Sequence, residues 1–264
     1  MLDRMKGPIL KSRDEIAVMD RANRVVLEIL EILRGMIKPG VTTAQLNAVA
    51  EEELARRGAK SPFKGYAPMN LPPYPAVLCA SSNDVIVHGI PNDRGLRDGD
   101  IIGIDCGVLY QGYYGDAART FGVGKVSAEA ARLLTVTQAA LELAVEQVQP
   151  KNRLSDIGNA VQQHVEAAGF SVVREFVGHG IGTSLHEDPQ VPNFGDPGRG
   201  IRLKPGMVLA IEPMVNAGGY GVRMDADGWT ARTADGSLSA HFEYSVAVTE
   251  RGPRVLGAPV RVAV

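Results

Sequence analysis

IIGIDCGVLYQGYYGDAART, residues 101–120, is the stretch around which the rest of the chain is arranged. IIGIDCGVLY is β-branched and apolar, the composition of a strand bound for a core. Asp105 sits in the middle of it. An ionised carboxylate is expensive to bury alone, so Asp105 should be paired, protonated or bound to a metal. Gln111-Gly112 is a turn signal, and YYGDAART then runs back with Asp116 in it. A hairpin brings the two aspartates onto one patch although they are eleven positions apart. Taken alone, the stretch reads equally as a core strand ending near a solvated turn. The second half of the chain decides between the two.

Composition sets the bounds. The chain has 264 residues, 45% hydrophobic and 22% charged, ample material for a core. A net charge of −2 gives no overall drive toward DNA or other nucleic acid. Two cysteines, Cys79 and Cys106, suit a reducing cytosol rather than a disulfide scaffold. The N-terminus lacks the apolar run of a signal peptide, and nothing approaches the length of a membrane span. A soluble, cytoplasmic protein is the expectation.

Upstream of the hairpin, residues 12–36 carry apolar positions at helical spacing, with Ser12 as N-cap and Glu15 three residues on. Lys38-Pro39-Gly40 stops that helix. Thr42 or Thr43 caps a second one, which Gly58 ends. SPFKGYAPMNLPPYP, residues 61–75, is loop-like with five prolines, yet too rich in aromatics to be a plain linker. AVLCASSNDVIVHGIP reads as two strands about a Ser-Ser-Asn-Asp turn, the second ending at His88. Downstream, Ser127 caps a long helix through Gln149, Pro150 breaks it, and LSDIGNAVQQHVEAAG makes another, ended by Gly169. A shift of 111 positions lays Pro39 on Pro150, Leu46 on Ile157, Leu54 on Val165 and Gly58 on Gly169. Two helices followed by strands thus occur twice, so residues 1–264 are expected to be one domain with similar halves at about 1–124 and 125–264.

FVGHGIGTSLHEDPQVPNF reads as a glycine- and histidine-rich loop, GMVLAIEPMVN as a strand carrying Glu212, and SLSAHFEYSVAVTE as a strand with Glu243 inside it. Three buried strands therefore each carry an acid, with no lysine or arginine inside them to pair it. Asp116 follows on the hairpin return, and His179 lies where glycines permit close backbone approach. Cations explain this set most economically. Oxygen ligands plus one imidazole suit Mn²⁺, Fe²⁺, Co²⁺ or Zn²⁺. Five ligating residues are too many for a mononuclear zinc hydrolase, and two ions sharing a hydroxide form a metal-assisted hydrolytic centre.

IIGIDCGV, YYGDAARTF, GHGIG, HEDPQVPN, LKPGMVLAIEPMVN, DGWTARTADGSLSAHFE and the earlier VHGIP, read together, resemble the type I methionine aminopeptidases. The resemblance covers nearly the whole chain. It implies an α/β pita-bread fold, two pseudo-symmetric helix-helix-strand halves sharing a curved, mostly antiparallel sheet, around two divalent metal ions. It implies removal of the initiator methionine from nascent polypeptides, near the ribosome exit, preferentially when the second residue is small. A monomer is expected. The implied metal ligands are Asp105, Asp116, His179, Glu212 and Glu243, with Asp116 and Glu243 bridging. Glu212 would also take the proton of the attacking water. His186 would hydrogen-bond the scissile peptide, and His88 would contact it near the leaving amide. Alone, His88 reads more readily as an ordinary surface or core histidine, and His186 reads equally either way. The methionine pocket is expected from Phe63, Tyr66, Tyr74, Cys79, Leu185 and Trp229, each of which, Cys79 above all, also reads as ordinary core packing. Cys106 alternates away from Asp105 along its strand and reads as a small structural hydrophobe.

The chain departs from the family pattern around its last glutamate, where His241-Phe242-Glu243-Tyr244-Ser245 stands in place of Gln-Phe/Tyr-Glu-His-Thr. His241, two residues from Glu243, reads either as a residue that faces the metals and donates to a ligating carboxylate, adding pH dependence on the acid side, or equally as a strand-end histidine facing solvent. The 61–75 segment also looks a few residues longer than usual. The competing readings are a proline-specific peptidase or creatinase of the same fold, which usually carries an added N-terminal domain, and a pita-bread protein that only binds partners, which loss of a ligand would favour.

Overall fold

In the computed structural model, which describes residues 7–68 and 71–258, helices and strands follow the capping and turn signals of the sequence. The expectations for residues 1–6, and for Met69 and Asn70 within the 61–75 segment, lie outside the described residues. α1 (Arg13–Met36) opens on a capping box in which Ser12 and Glu15 satisfy each other's backbone N–H groups. α2 (Thr43–Arg56) opens on the same device, built from Thr42 and Gln45. β1 (Cys79–Ser82) and β2 (Val85–Val87) lead to the long hairpin, β3 (Ile101–Tyr110) and β4 (Tyr113–Gly122). Its turn places Gln111 at φ 50° and Gly112 at φ 83°, the doubly left-handed pair that matches the twist of a two-residue hairpin. α3 (Ala128–Glu146) and α4 (Leu154–Ala167) come next; α3 stops a few residues short of Gln149. α2 and α4 begin and end at positions 111 apart.

Strands fill the remainder: β5 (Ser171–Val172), β6 (Gly178–Gly180), β7 (Glu187–Val191), β8 (Val208–Ile211), β9 (Met214–Asn216), β10 (Val222–Met224), β11 (Ala231–Thr233), β12 (Ser239–His241), β13 (Tyr244–Thr249) and β14 (Gly252–Val255). Every pairing among them is antiparallel. Where one shared sheet was expected, backbone ladders divide the strands into four, ordered β1-β3-β4, β10-β11-β2, β12-β9-β5 and β14-β13-β8-β6-β7. Side chains bridge the gaps: Thr120 Oγ1 donates to His241 O at 2.8 Å, and His241 N donates back to Thr120 Oγ1 at 2.9 Å.

Two helix-on-sheet cores flank these strands. Val26, Ile29, Leu30, Leu33, Leu46 and Leu54 of α1 and α2 pack on Ile102, Ile104, Cys106 and Val108, one face of β3. Leu133, Leu141, Ile157, Val161 and Val165 of α3 and α4 pack on Leu209, Ile211, Val215 and Val246. Because side chains alternate along a strand, the face of β3 opposite its core carries Gly103, Asp105 and Gly107. Cys106 lies on the core side, as its alternation predicts.

Three local expectations are corrected. The GHG segment is not loop but β6, paired with both β7 and β8. Its glycines serve close strand approach: a Cβ on Gly178 would stand 2.3 Å from Ala210 O, and one on Gly180 2.3 Å from Asp188 O. β2 ends at Val87, because His88 itself adopts φ 60° and turns the chain away. Finally, Glu212 and Glu243 lie between strands rather than inside them. Tyr244 pairs with Ile211 and His241 with Met214, so Glu212-Pro213 faces Phe242-Glu243 across one shared break. Pro213 has no N–H to give, and the ladder cannot pass through it.

Candidate active site

The break puts both glutamates beside the hairpin. Asp116 lies opposite Gly107, two positions along β3 from Asp105, so the aspartates share a face as a diagonal pair. Glu243 is drawn to them by its backbone, whose N–H donates to Ala118 O at 2.9 Å. Asp116 is held from three sides: its N–H faces Asn23 Oδ1 at 3.2 Å and Ser245 Oγ at 3.3 Å, and its carbonyl accepts from Ser245 at 2.9 Å. α1 reaches this point because Gly115 leaves no side chain under Asn23; a Cβ there would stand 2.7 Å from Asn23 N. Glu212 is fixed through its carbonyl, which accepts from Asn193 Nδ2 at 3.0 Å.

His179 Nδ1 lies 2.9 Å from Gly180 O, an acceptor only, so the proton sits on Nδ1 and Nε2 turns its lone pair inward. That Nε2 stands 3.6 Å from Glu212 Oε1. Ligand atoms of Asp116, His179 and Glu243 come within 4.8 Å of one another, all on buried residues.

Electrostatics show what this costs. Burial lifts Asp105 to about 7, although the adjacent Asp116 carboxyl pulls the other way. Burial, and then neighbouring carboxylates, drive Asp116, Glu212 and Glu243 well above the ordinary carboxylate range. Burial takes His179 down to about 3 and His88 to about 4, and lowers His186 as well. Asp105 Oδ1, Asp116 Oδ1 and Glu243 Oε1 are buried without any hydrogen-bond partner. Native structures rarely leave such atoms unsatisfied, and several aimed into one space are what divalent cations would complete. The oxygen-rich donor set with one imidazole fits that group.

All the acids and histidines open into one cavity of about 750 Å³, which also holds every residue expected for the methionine pocket. Phe63, Tyr74, Cys79, Leu185 and Trp229 are buried there, with Tyr66 half-buried beside them. Cys79 pairs with Asp105 in the β1–β3 ladder, so the pocket wall and the acids lie next to each other. Phe63 seats against the hairpin at Gly107, where a Cβ would come within 2.7 Å of its ring. Trp229 Nε1 donates to Pro72 O at 2.8 Å, and the indole meets Tyr74 edge-on with ring centroids 5.2 Å apart. His186 contacts Tyr66, whose hydroxyl lies 3.1 Å from Nδ1, and its ring centroid is 4.4 Å from that of His179.

Sequence reasoning missed other residues at this cavity. Phe176 meets the His88 ring edge-on at 5.4 Å, and Met214 lines the cavity two residues after Glu212. Asn193, Thr120 and Ser245 act through backbone groups of the acid-bearing segments and carry no local signal. His241 does face the acids, with Nε2 3.7 Å from Glu212 Oε2 and no hydrogen-bond partner. Its expected pH dependence is corrected. Burial, and then His88, lower the imidazole to about 3, well below the near-neutral titration that the expectation needs.

A cavity of buried, unsatisfied carboxylates closed by an apolar, aromatic wall is the setting of a metallopeptidase, and the sequence agrees. From residue 17 to residue 250 it matches the profile described as metallopeptidase family M24. The chain belongs to that family. Within M24 it stands among the methionine aminopeptidases and is an enzyme of that type. It is 52% identical to the methionine aminopeptidase of Clostridium perfringens over 94% of this chain and 98% of that one. The crystal structure of the methionine aminopeptidase from Thermotoga maritima superposes with a TM-score of 0.92 at 42% identity, covering 96% of this chain and all of that one (100%). The prolidase from Pyrococcus furiosus superposes at 0.75 with 22% identity and over 66% of its own length, which speaks for a common fold alone. The pita-bread architecture expected from sequence is the fold of this M24 enzyme.

Proposed function

We propose that this M24 enzyme removes the initiator methionine from nascent polypeptides with two divalent cations, held by Asp105, Asp116, His179, Glu212 and Glu243. The observation that carries the reading is the set of buried carboxylate oxygens without partners, facing one cavity whose other wall is aromatic. Asp116 and Glu243 would bridge the ions: their ligand atoms lie within 4.8 Å of one another and of His179, and burial and neighbouring acids raise both well above their ordinary range. Bound there, the ions would supply Lewis-acid polarisation of the scissile carbonyl and a water acidic enough to attack at neutral pH; manganese, iron, cobalt and zinc all suit the donors.

The chain's own residues divide the remaining work. Glu212, raised by burial and by Asp105, takes the proton of the attacking water. The Tyr66 hydroxyl lies 3.1 Å from His186 Nδ1; donating there, it would leave the imidazole proton on Nε2, ready for the oxygen that gains charge in the tetrahedral state. His88, its ring set between Phe176 and Trp229, contacts the peptide on the leaving side. Phe63, Tyr74, Cys79, Leu185 and Trp229 enclose the methionine side chain. The cavity wall near His88, Phe176 and Met214 would meet the second residue, for which a small side chain is preferred.

The substrate is then the N-terminus of a new chain, which suits a cytoplasmic monomer working near the ribosome exit without DNA or membrane contact. No helix among the described residues is long and apolar enough to cross a membrane. The matching bounds of α2 and α4 support a single domain of two similar halves, divided near residue 124. The test is release of methionine from Met-Ala-Ser by metal-stripped protein with and without added Mn²⁺ or Co²⁺. Metal-dependent release supports the reading; cleavage only of an Xaa-Pro peptide, or none, overturns it.

A further inference from the structure

We propose that the buried Lys11–Glu187 ion pair is a positioning device for His186, tying the segment that leads into α1 to the turn that carries Leu185 and His186. This rests on the reading of His186 as a group that faces the substrate.

The two side chains are 3% and 5% exposed, so the pair is shut off from water on both sides. The Lys11 ammonium meets Glu187 Oε2 and also donates to Ile9 O at 3.0 Å. The other carboxylate oxygen, Oε1, accepts from Thr183 N at 2.8 Å, Ser184 N at 3.2 Å and Thr183 Oγ1 at 3.4 Å. The turn before His186 is therefore wrapped around one carboxylate, and Lys11 holds that carboxylate in place. Gly182 is the residue that lets them meet. A Cβ there would stand 2.3 Å from Lys11 Cε and 2.7 Å from Glu187 Oε1.

Both ends of the tie are anchored. Lys11 N donates to Gly206 O at 2.7 Å, and Tyr114 N, two residues from Asp116, donates to Gly182 O at 2.9 Å. Glu187 opens β7 directly after His186, so a displaced carboxylate displaces the His186 backbone.

A buried ion pair is weak evidence for stability, because an apolar pair of the same volume often serves the fold as well. What the charged pair adds is direction: an ammonium and a carboxylate that also binds two N–H groups admit few arrangements, whereas apolar side chains admit many. Lys11 touches no reacting atom. It acts through Glu187 on the turn, and the turn sets where the His186 imidazole points.

The experiment uses full-length, metal-loaded protein carrying Lys11→Met, Glu187→Gln, or both, each with His186 intact and with His186→Ala. Bound metal, Tm, and kcat and KM on Met-Ala-Ser are measured. Lys11→Met strands a buried carboxylate and lowers Tm; the double variant removes that charge and recovers most of the loss. With His186 intact, kcat in the double variant stays about tenfold down, the effect of a displaced group, with KM and bound metal little changed. With His186→Ala, the same substitutions cost no further kcat, because nothing is left to position. Recovery of kcat together with Tm in the double variant, or equal kcat losses in both backgrounds, overturns the positioning role. Should Lys11→Met fail to fold, Glu187→Gln and the double variant decide it alone. A wild-type kcat in His186→Ala by itself would instead overturn the reading of His186, and the positioning role with it.

Discussion

The hydroxyl of Ser245 occupies a ladder position opposite Asp116, facing its backbone N–H at 3.3 Å and donating to its carbonyl at 2.9 Å. Thr120 does the same for His241, and Glu243 N adds a backbone rung to Ala118 O. The two acid-bearing regions are thus joined by side-chain rungs where no continuous sheet connects them. Ser245→Ala should leave the buried Asp116 carbonyl unpaired, at a cost of about 1–3 kcal/mol. Denaturant unfolding of the metal-free variant measures this. A midpoint equal to wild type would show that the rung holds nothing.

Bridging makes a separable claim. If Asp116 and Glu243 each contact both ions, Glu243→Ala should abolish cooperative uptake of the pair and lower turnover by several orders of magnitude, even at saturating metal. Metal content by atomic emission and kcat on Met-Ala-Ser test it together. Two ions bound at near wild-type turnover would contradict the assignment.

The metal-free enzyme should lose stability as pH rises above neutrality. Asp105, at about 7 in the folded chain, and Asp116, Glu212 and Glu243, raised further, keep protons that the unfolded chain has already released by pH 5. The folded state then binds more protons, so stability falls with pH by up to about 1.4 kcal/mol per unit for each group titrating. Below about 6.5 the histidines oppose this, since His88 near 4 and His179 and His241 near 3 stay neutral while the unfolded imidazoles take protons. Above 7 that opposition has ended. The Tm of stripped protein should therefore decline from pH 7 to 9, and reloading with Mn²⁺ should flatten the decline. A Tm that rises over this range in the stripped protein would refute the buried-acid account.

Tyr66 tests the tautomer of His186. Tyr66→Phe keeps the ring near Trp229 but removes the hydroxyl 3.1 Å from Nδ1. One neutral hydrogen bond is worth about 1 kcal/mol, so kcat should fall roughly fivefold to tenfold. His186→Ala, which removes the donor itself, should cost about 10²–10³. In both variants the bound metal should be unchanged; loss of metal would make His186 a ligand instead.

Much of this site was legible because its signals are local. The hairpin, the capping boxes and the acids amid apolar residues all act within a few positions. The break at Glu212-Pro213 was also written in the sequence, in the missing N–H of Pro213, but the apolar run around it reads as one strand. GHG reads as loop because glycine is a turn signal, whereas here it admits two neighbouring backbones. Thr120 and His241 are 121 positions apart, Asp116 and Ser245 129, and Lys11 and Glu187 176. No periodicity records contacts at such separations; they exist only once the layers have packed.

His241 carries the last prediction. Its backbone N–H and carbonyl are both taken by the Thr120 hydroxyl, which fixes the imidazole toward Glu212. The sequence suggested that an imidazole in place of an amide would titrate and steepen the acid limb of the activity profile. Burial pulls it to about 3, with His88 pushing the same way, and cations beside it would add to the effect. The ring is therefore neutral across pH 5.5–8, and in that state it offers one donor and one acceptor much as an amide does. His241→Gln should give a pH–rate profile that superimposes on wild type over this range, with any change appearing as a constant factor in kcat. An acid limb that moves by half a unit or more would show that His241 gains a proton during turnover.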